Sequence, residues 1–242
     1  MNAWFRSALP FAALLACAQG APAQEAAIRR NIAERLPKFP KIDEVTKSTV
    51  PGLYELRVGN DILYTDENGD YLIQGSIMDT KAQVDLTQAR VDKLIAIDFA
   101  ALPLKDAIVW KQGTGARRLA VFADPNCGFC RQFERDLAQL KDVTVYTFLM
   151  PILGGDSPQK SHNIWCANDK AAAWRSWMLL GIAPPRSIGG CDDSAIARNL
   201  AIGRQHQILV TPSLLFEDGK RFKGVVPADQ VERQLALSKP KP

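Results

Sequence analysis

One stretch constrains this chain more than any other: RLAVFADPNCGFCRQFERDLAQL, residues Arg118 to Leu140. A short apolar run with the look of a buried strand leads into a turn, and two cysteines three positions apart open a run with helical spacing. A cysteine placed where a strand hands over to a helix has its sulfur beside the first unpaired backbone N–H groups and the positive end of the helix dipole. Both favour thiolate over thiol, so Cys127 is expected to have a lowered pKa and to be the reactive sulfur. Cys130, one turn inward, is within disulfide reach but harder for a substrate to approach. Gly128 leaves the Cys127 sulfur approachable, and Arg131 either adds positive charge or is simply solvated. Two other readings compete. A purely structural disulfide would close too small a loop to be an effective staple. A zinc site built from Cys127, Cys130, His162 and Cys166 has the right ligand types, but its two halves are far apart in the sequence.

The environment of the chain bears on that choice. The opening residues MNAWFRSALPFAALLACAQGAPAQ place one arginine before an apolar stretch, Ala8 to Ala18, and Ala21-Pro22-Ala23 has the form of a cleavage site. A signal peptide over residues 1–23 is therefore expected, since the apolar stretch falls short of the roughly 20 residues needed to span a bilayer. Leu14-Leu15-Ala16-Cys17 also resembles a bacterial lipobox, which the second leucine fits poorly. Setting Cys17 aside leaves Cys127, Cys130, Cys166 and Cys191, an even number that suits an oxidising compartment and allows three disulfide connectivities. A formal charge of +4 over 242 residues, without a Lys/Arg block, offers nucleic-acid binding little support.

Residues 24–80 read as a small α+β unit. Ile28, Ile32 and Leu36 recur at helical spacing before Pro37 and Pro40, and alternating runs around Leu56, Ile62 and Tyr71 read as strands. Gly59-Asn60-Asp61 marks one turn, and Asn68-Gly69 favours a type I′ hairpin. A unit this small buries little core, which makes pairing with a second copy through an open strand edge an expectation. A helical linker is placed at 81–112, with Val91, Leu94, Ile95 and Phe99 on one face of a helix closed by Pro103. The second domain, 113–242, alternates strand, helix and strand, passes through a mostly helical region from Ser161 to His206, and ends in a hairpin and a helix. That order predicts an α/β fold with a mixed central sheet. His162 and His206 lack any partner motif for nucleophilic catalysis, and Trp165, Trp174 and Trp177 read as helix packing.

VFADPNCGFC, IWCANDKAAAW, VTPSLLFEDGK and the hairpin GNDILYTDENGDYLIQGSIMD together resemble the DsbC family of periplasmic disulfide isomerases, in the same order over essentially the whole mature chain. The resemblance implies a thioredoxin-like catalytic domain with a helical insertion, preceded by a small α+β, cystatin-like dimerisation domain and a helical linker, assembled as a V-shaped homodimer. It implies that Cys127-Gly128-Phe129-Cys130 is the active site, with Phe129 where the family commonly has Tyr, a change expected to alter redox tuning. Further, it implies that Thr211-Pro212 forms a cis-proline loop facing the active site and binding substrate backbone, and that Cys166 and Cys191 form a structural disulfide. No cofactor or metal is implied.

The function expected from this resemblance is periplasmic thiol–disulfide isomerisation. Reduced Cys127 would attack wrong disulfides in misfolded exported proteins, with a membrane reductant of the DsbD type keeping it reduced. Two alternatives are a DsbG-like reductase of sulfenic acids and a redox-independent holdase chaperone.

Overall fold

The structure, a computed structural model, describes residues 20–187 and 189–238. Most of the expected signal peptide, Cys17 included, lies outside the described residues. The chain divides into two compact units between Val91 and Asp92.

The first unit packs helix α1 (Gly20–Arg35) on a four-stranded antiparallel sheet. Its strands β1 (Glu44–Lys47), β2 (Leu53–Val58), β3 (Asp61–Asp66) and β4 (Leu72–Ile73) lie side by side in chain order. Ile28 and Ile32, one helical turn apart, are buried with Ile42, Val45 and Leu56. Leu36, expected to continue their stripe, is 44% exposed because the helix ends one residue earlier, ahead of Pro37. The Asn68-Gly69 turn also departs from expectation. A type I′ turn needs positive φ at both central residues, and only Gly69 has it, at +69°. The Asp66 carboxylate instead accepts the N–H groups of Asp70 (2.7 Å) and Tyr71 (3.1 Å), organising a longer loop between β3 and β4.

A short ladder, β5 (Met78–Asp79) with β6 (Val84–Asp85), leads into α2 (Leu86–Leu94). This helix is about half the length the apolar spacing suggested. Beyond Leu94 the backbone finds non-local partners: Ile95 C=O accepts from Arg221, Ile97 N–H donates to Gly219, and Asp98 caps a 3₁₀ turn at Phe99–Ala101. Tertiary hydrogen bonds thus override a local helical pattern.

The second unit is built on a five-stranded mixed sheet in the order β11-β10-β8-β9-β7. Its strands are β7 (Ile108–Gln112), β8 (Arg117–Ala123), β9 (Val143–Leu149), β10 (Ser213–Phe216) and β11 (Arg221–Lys223), with only β8 and β9 parallel. The linker expected to run to residue 112 therefore includes a strand of this sheet, since β7 pairs along its whole length with β9. β8 is buried on both faces, as a central strand should be. Its alternate residues serve two cores. Leu119, Val121 and Ala123 join Phe133 of α3 (Gly128–Asp136) and Val231 of α7 (Ala228–Leu237). Ala120 and Phe122 face the other way, toward Ile97, Phe99 and Phe148.

Between β9 and β10 lies the insertion: α4 (Ser157–Trp165), α5 (Lys170–Arg175), a π-helical turn (Ser176–Leu180), an irregular segment and α6 (Ser194–Gln205). A disulfide joins Cys166, at the end of α4, to Cys191, just before α6, with Cα atoms 5.9 Å apart. It closes the irregular segment against the helices, and Trp165 Nε1–H adds a bond to the Asp192 carbonyl. With a sequence separation of 25, chain-entropy reasoning assigns this bridge about 3.5 kcal/mol. The double variant Cys166→Ala/Cys191→Ala is expected to lose about 2–4 kcal/mol in urea unfolding, with unchanged far-ultraviolet dichroism in the folded baseline. A loss below about 0.5 kcal/mol would mean that the insertion is held by its packing alone.

Candidate active site

The turn that delivers the first cysteine is made by residues 124–127. Cys127 N–H donates to Asp124 C=O at 3.0 Å, and Asn126 N–H donates to the Asp124 carboxylate at 2.7 Å. That carboxylate is fully buried and also accepts from Ser157 Oγ (2.6 Å) and Leu153 N–H (2.9 Å). Asp124 thus holds the turn and ties it to the insertion. The insertion grips the same turn twice more. Trp177 Nε1–H donates to Pro125 C=O at 2.6 Å, while the Asn126 side chain bonds Asp156 and Lys160. Trp177 projects from the π-helical turn and carries two cations against its ring, Lys160 at 4.3 Å and Arg131 at 5.3 Å from the centroid. One turn earlier, Trp174 donates to Glu134 of α3, a buried carboxylate whose pKa burial pushes up.

Cys127 is the N-cap of α3, with an extended backbone (φ −77°, ψ 115°), and its sulfur accepts the Cys130 N–H at 3.2 Å. The Cys127 thiol donates to Thr211 C=O, also at 3.2 Å. Both cysteines are unpaired thiols and both are buried. They nevertheless titrate in opposite directions. The Cys130 thiol, hydrogen-bonding to the Cys127 sulfur, draws the Cys127 pKa down to about 6 against the cost of burial, and the Thr211 side chain and the backbone N–H groups of Cys130 and Phe129 add to it. Burial, then the neighbouring Cys127 sulfur, pushes the Cys130 thiol up. At neutral pH the pair is one thiolate and one thiol.

Thr211 precedes Pro212 through a cis peptide bond, and the loop they form faces Cys127. The four residues Cys127, Cys130, Thr211 and Pro212 are therefore brought together from two distant parts of the chain. Phe129 falls at helical spacing with Phe133, Leu137 and Leu140, yet it is 65% exposed while the other three are buried. It sits in the first turn and lines the open cleft beside Cys127. A side chain at Gly128 would meet nothing, so packing alone does not demand glycine there. The disulfide takes Cys166 out of the alternative zinc set, and His162 Nδ1 pairs with Asp193 at 2.7 Å. Sequence reasoning missed the grip of Trp177, because the indole's hydrogen bond is to a backbone carbonyl 52 residues away.

Replacing Trp177 by Phe keeps a ring and removes the bond to Pro125. A net hydrogen bond of about 1 kcal/mol that orients the turn corresponds to a rise of at most about 0.7 unit in the Cys127 midpoint. The pH profile of iodoacetamide alkylation reads this directly: the rate falls tenfold per unit below the midpoint and is flat above it. An unshifted profile with lowered urea stability would make Trp177 a packing residue only.

Comparison with known proteins identifies the family. Residues 19–88 match the disulfide bond isomerase protein N-terminal domain, and residues 104–239 match the thioredoxin-like domain. The chain is 40% identical over 220 residues to the Bordetella pertussis "Probable thiol:disulfide interchange protein DsbC", covering 90% of this chain and 76% of that one. It is 28% identical over 229 residues to the thiol:disulfide interchange protein DsbC of Escherichia coli, covering 92% of each. The crystal structure of a disulfide interchange protein from Neisseria gonorrhoeae superposes with a TM-score of 0.54 at 36% identity, over 58% of this chain and all of that one. The chain belongs to the DsbC family of thiol:disulfide interchange proteins and is a thiol–disulfide oxidoreductase with a thioredoxin-like fold.

Proposed function

We propose that this protein is a periplasmic disulfide isomerase and reductase in which Cys127 is the nucleophile and Cys130 the resolving thiol. The observation that carries this reading is the opposed titration of two sulfurs held one helical turn apart. The Cys127 thiolate attacks one sulfur of a substrate disulfide. An S–S bond forms between Cys127 and the substrate, and the other substrate sulfur leaves as a thiolate. That freed thiolate can then attack a different disulfide of the same substrate and eventually displace Cys127, which returns reduced: the net result is isomerisation. Alternatively Cys130 loses its proton and attacks the Cys127 sulfur, releasing a reduced substrate and leaving a Cys127–Cys130 disulfide. The raised pKa of Cys130 slows this escape and lengthens the time available for reshuffling.

The Thr211 carbonyl that accepts from Cys127 in the free protein is positioned to pair with the backbone of an extended substrate segment, with Pro212 shaping the loop. Oxidised enzyme needs a dithiol to restore it, a role we assign to a membrane reductant of the DsbD type. Export across the inner membrane fits the leader-like opening sequence. Among the described residues no helix is long and apolar enough to cross a membrane. We further propose a homodimer through the first unit, where Ile73 on the edge strand β4 and Tyr71 just before it lie exposed.

Refolding of a scrambled multi-disulfide protein tests the reading. Reduced wild type is expected to restore native pairing, and Cys127→Ala to lose at least 100-fold in rate while still suppressing aggregation. Cys130→Ala should retain isomerisation but accumulate mixed disulfide. Native pairing restored equally well by Cys127→Ala would contradict the assignment. Sulfenic acid reduction without isomerisation by the wild type would favour the DsbG-like alternative.

A further inference from the structure

Beside Cys127 lies an open cleft of about 720 Å³ that also reaches Thr211. Five of its lining residues are apolar side chains exposed to solvent: Phe129 in the first turn of α3, Ile152 and Leu153 after β9, and Leu209 and Val210 before the Pro212 loop. Single exposed apolar residues are ordinary, but five gathered around one reactive sulfur form a patch, with Phe129 65% and Leu209 77% exposed. Lys223 is the only charged residue on the wall. It sits at the end of β11, opposite Ser213, and the next residue's N–H (Gly224) donates to Pro212 C=O at 2.8 Å, so its backbone is tied to the loop facing Cys127. Among the described residues its ammonium group has no ion pair or hydrogen bond, unlike Lys160 and Lys220 of the same unit.

We propose that this cleft sets a substrate preference: an extended segment with a bulky apolar residue next to its cysteine and an acidic residue within reach of Lys223. The proposal rests on Cys127 being the nucleophile, and names the segments it attacks fastest. The apolar walls leave water when a Leu or Phe side chain enters, which corresponds to about a tenfold gain in rate over a serine at the same position. A solvated lysine at the rim contributes less, about threefold between an acidic and a basic neighbour.

The test uses the reduced full-length protein and short peptides whose single cysteine is capped as a mixed disulfide with 2-mercaptoethanol. Cys127 attacks the peptide sulfur, and the mercaptoethanol thiolate leaves and is protonated by solvent. Four peptides pair Leu or Ser beside the cysteine with Asp or Lys further on, and each rate is divided by the rate with hydroxyethyl disulfide. That division removes any change in the reactivity of the thiolate itself. Leu over Ser by about tenfold and Asp over Lys by about threefold are expected, the second preference shrinking between about 0.05 and 0.5 M salt and the first persisting. Lys223→Gln should erase the charge preference and Lys223→Glu should invert it. Equal rates for the four peptides with wild type, or a charge preference untouched by Lys223→Gln, would overturn the proposal. No reaction of wild type with hydroxyethyl disulfide would instead overturn the role of Cys127.

Discussion

Everything this molecule does with sulfur depends on the hydrogen bonding of Cys130 to the sulfur of Cys127, from its thiol first and from its backbone N–H beside it. It exists because β8 runs straight into a short turn and then into α3, leaving the first N–H groups of the helix without backbone partners. A sulfur at the N-cap takes the place that serine or aspartate usually fills, and the same donors that cap the helix stabilise a negative charge. The cost is burial, which opposes ionisation, yet the local donors win and the pKa settles near 6. One turn along, Cys130 has burial without compensating donors of that strength, and its proton stays on. The two sulfurs differ because Cys127 collects the hydrogen bonds while burial dominates at Cys130.

Such a bond is only as good as the turn that aims it. Here the turn is held from outside the sheet by the insertion, through Ser157 and Leu153 on Asp124, Trp177 on Pro125 and the Asp156–Lys160 pair on Asn126. The Cys166–Cys191 bridge closes that insertion on itself. A helical excursion that looks peripheral in the sequence is thus part of the support for Cys127.

Local signals were enough for much of this. The strand-to-helix placement of Cys127 and Cys130, the strands β8, β9 and β10, and the last helix all rest on short-range pattern, and the structure has them. What pattern could not carry was decided by distant partners. Strand β7 exists because β9 offers an edge, and the chain after Leu94 leaves the helix because Gly219 and Arg221 bind its backbone. Phe129 matches Phe133 by spacing alone, but spacing does not reveal that its position opens onto a cleft. Asn68-Gly69 was a sound turn signal that the Asp66 carboxylate redirected into a longer loop. The second half of the site, Thr211-Pro212, became legible only through resemblance to a family, since nothing local to that dipeptide points to a sulfur 84 residues away.

The central claim is that the Cys130 thiol and the helix terminus together make the Cys127 sulfur anionic at neutral pH, while burial keeps Cys130 protonated. Thiolate absorbance at 240 nm, followed in the reduced protein against its oxidised form from pH 4 to 9, measures this directly. The account predicts a single step with the amplitude of one thiolate, centred at about 6, and no second step up to pH 9. A first step near the ordinary thiol value of about 8.5, or two steps of equal amplitude within that range, would contradict it.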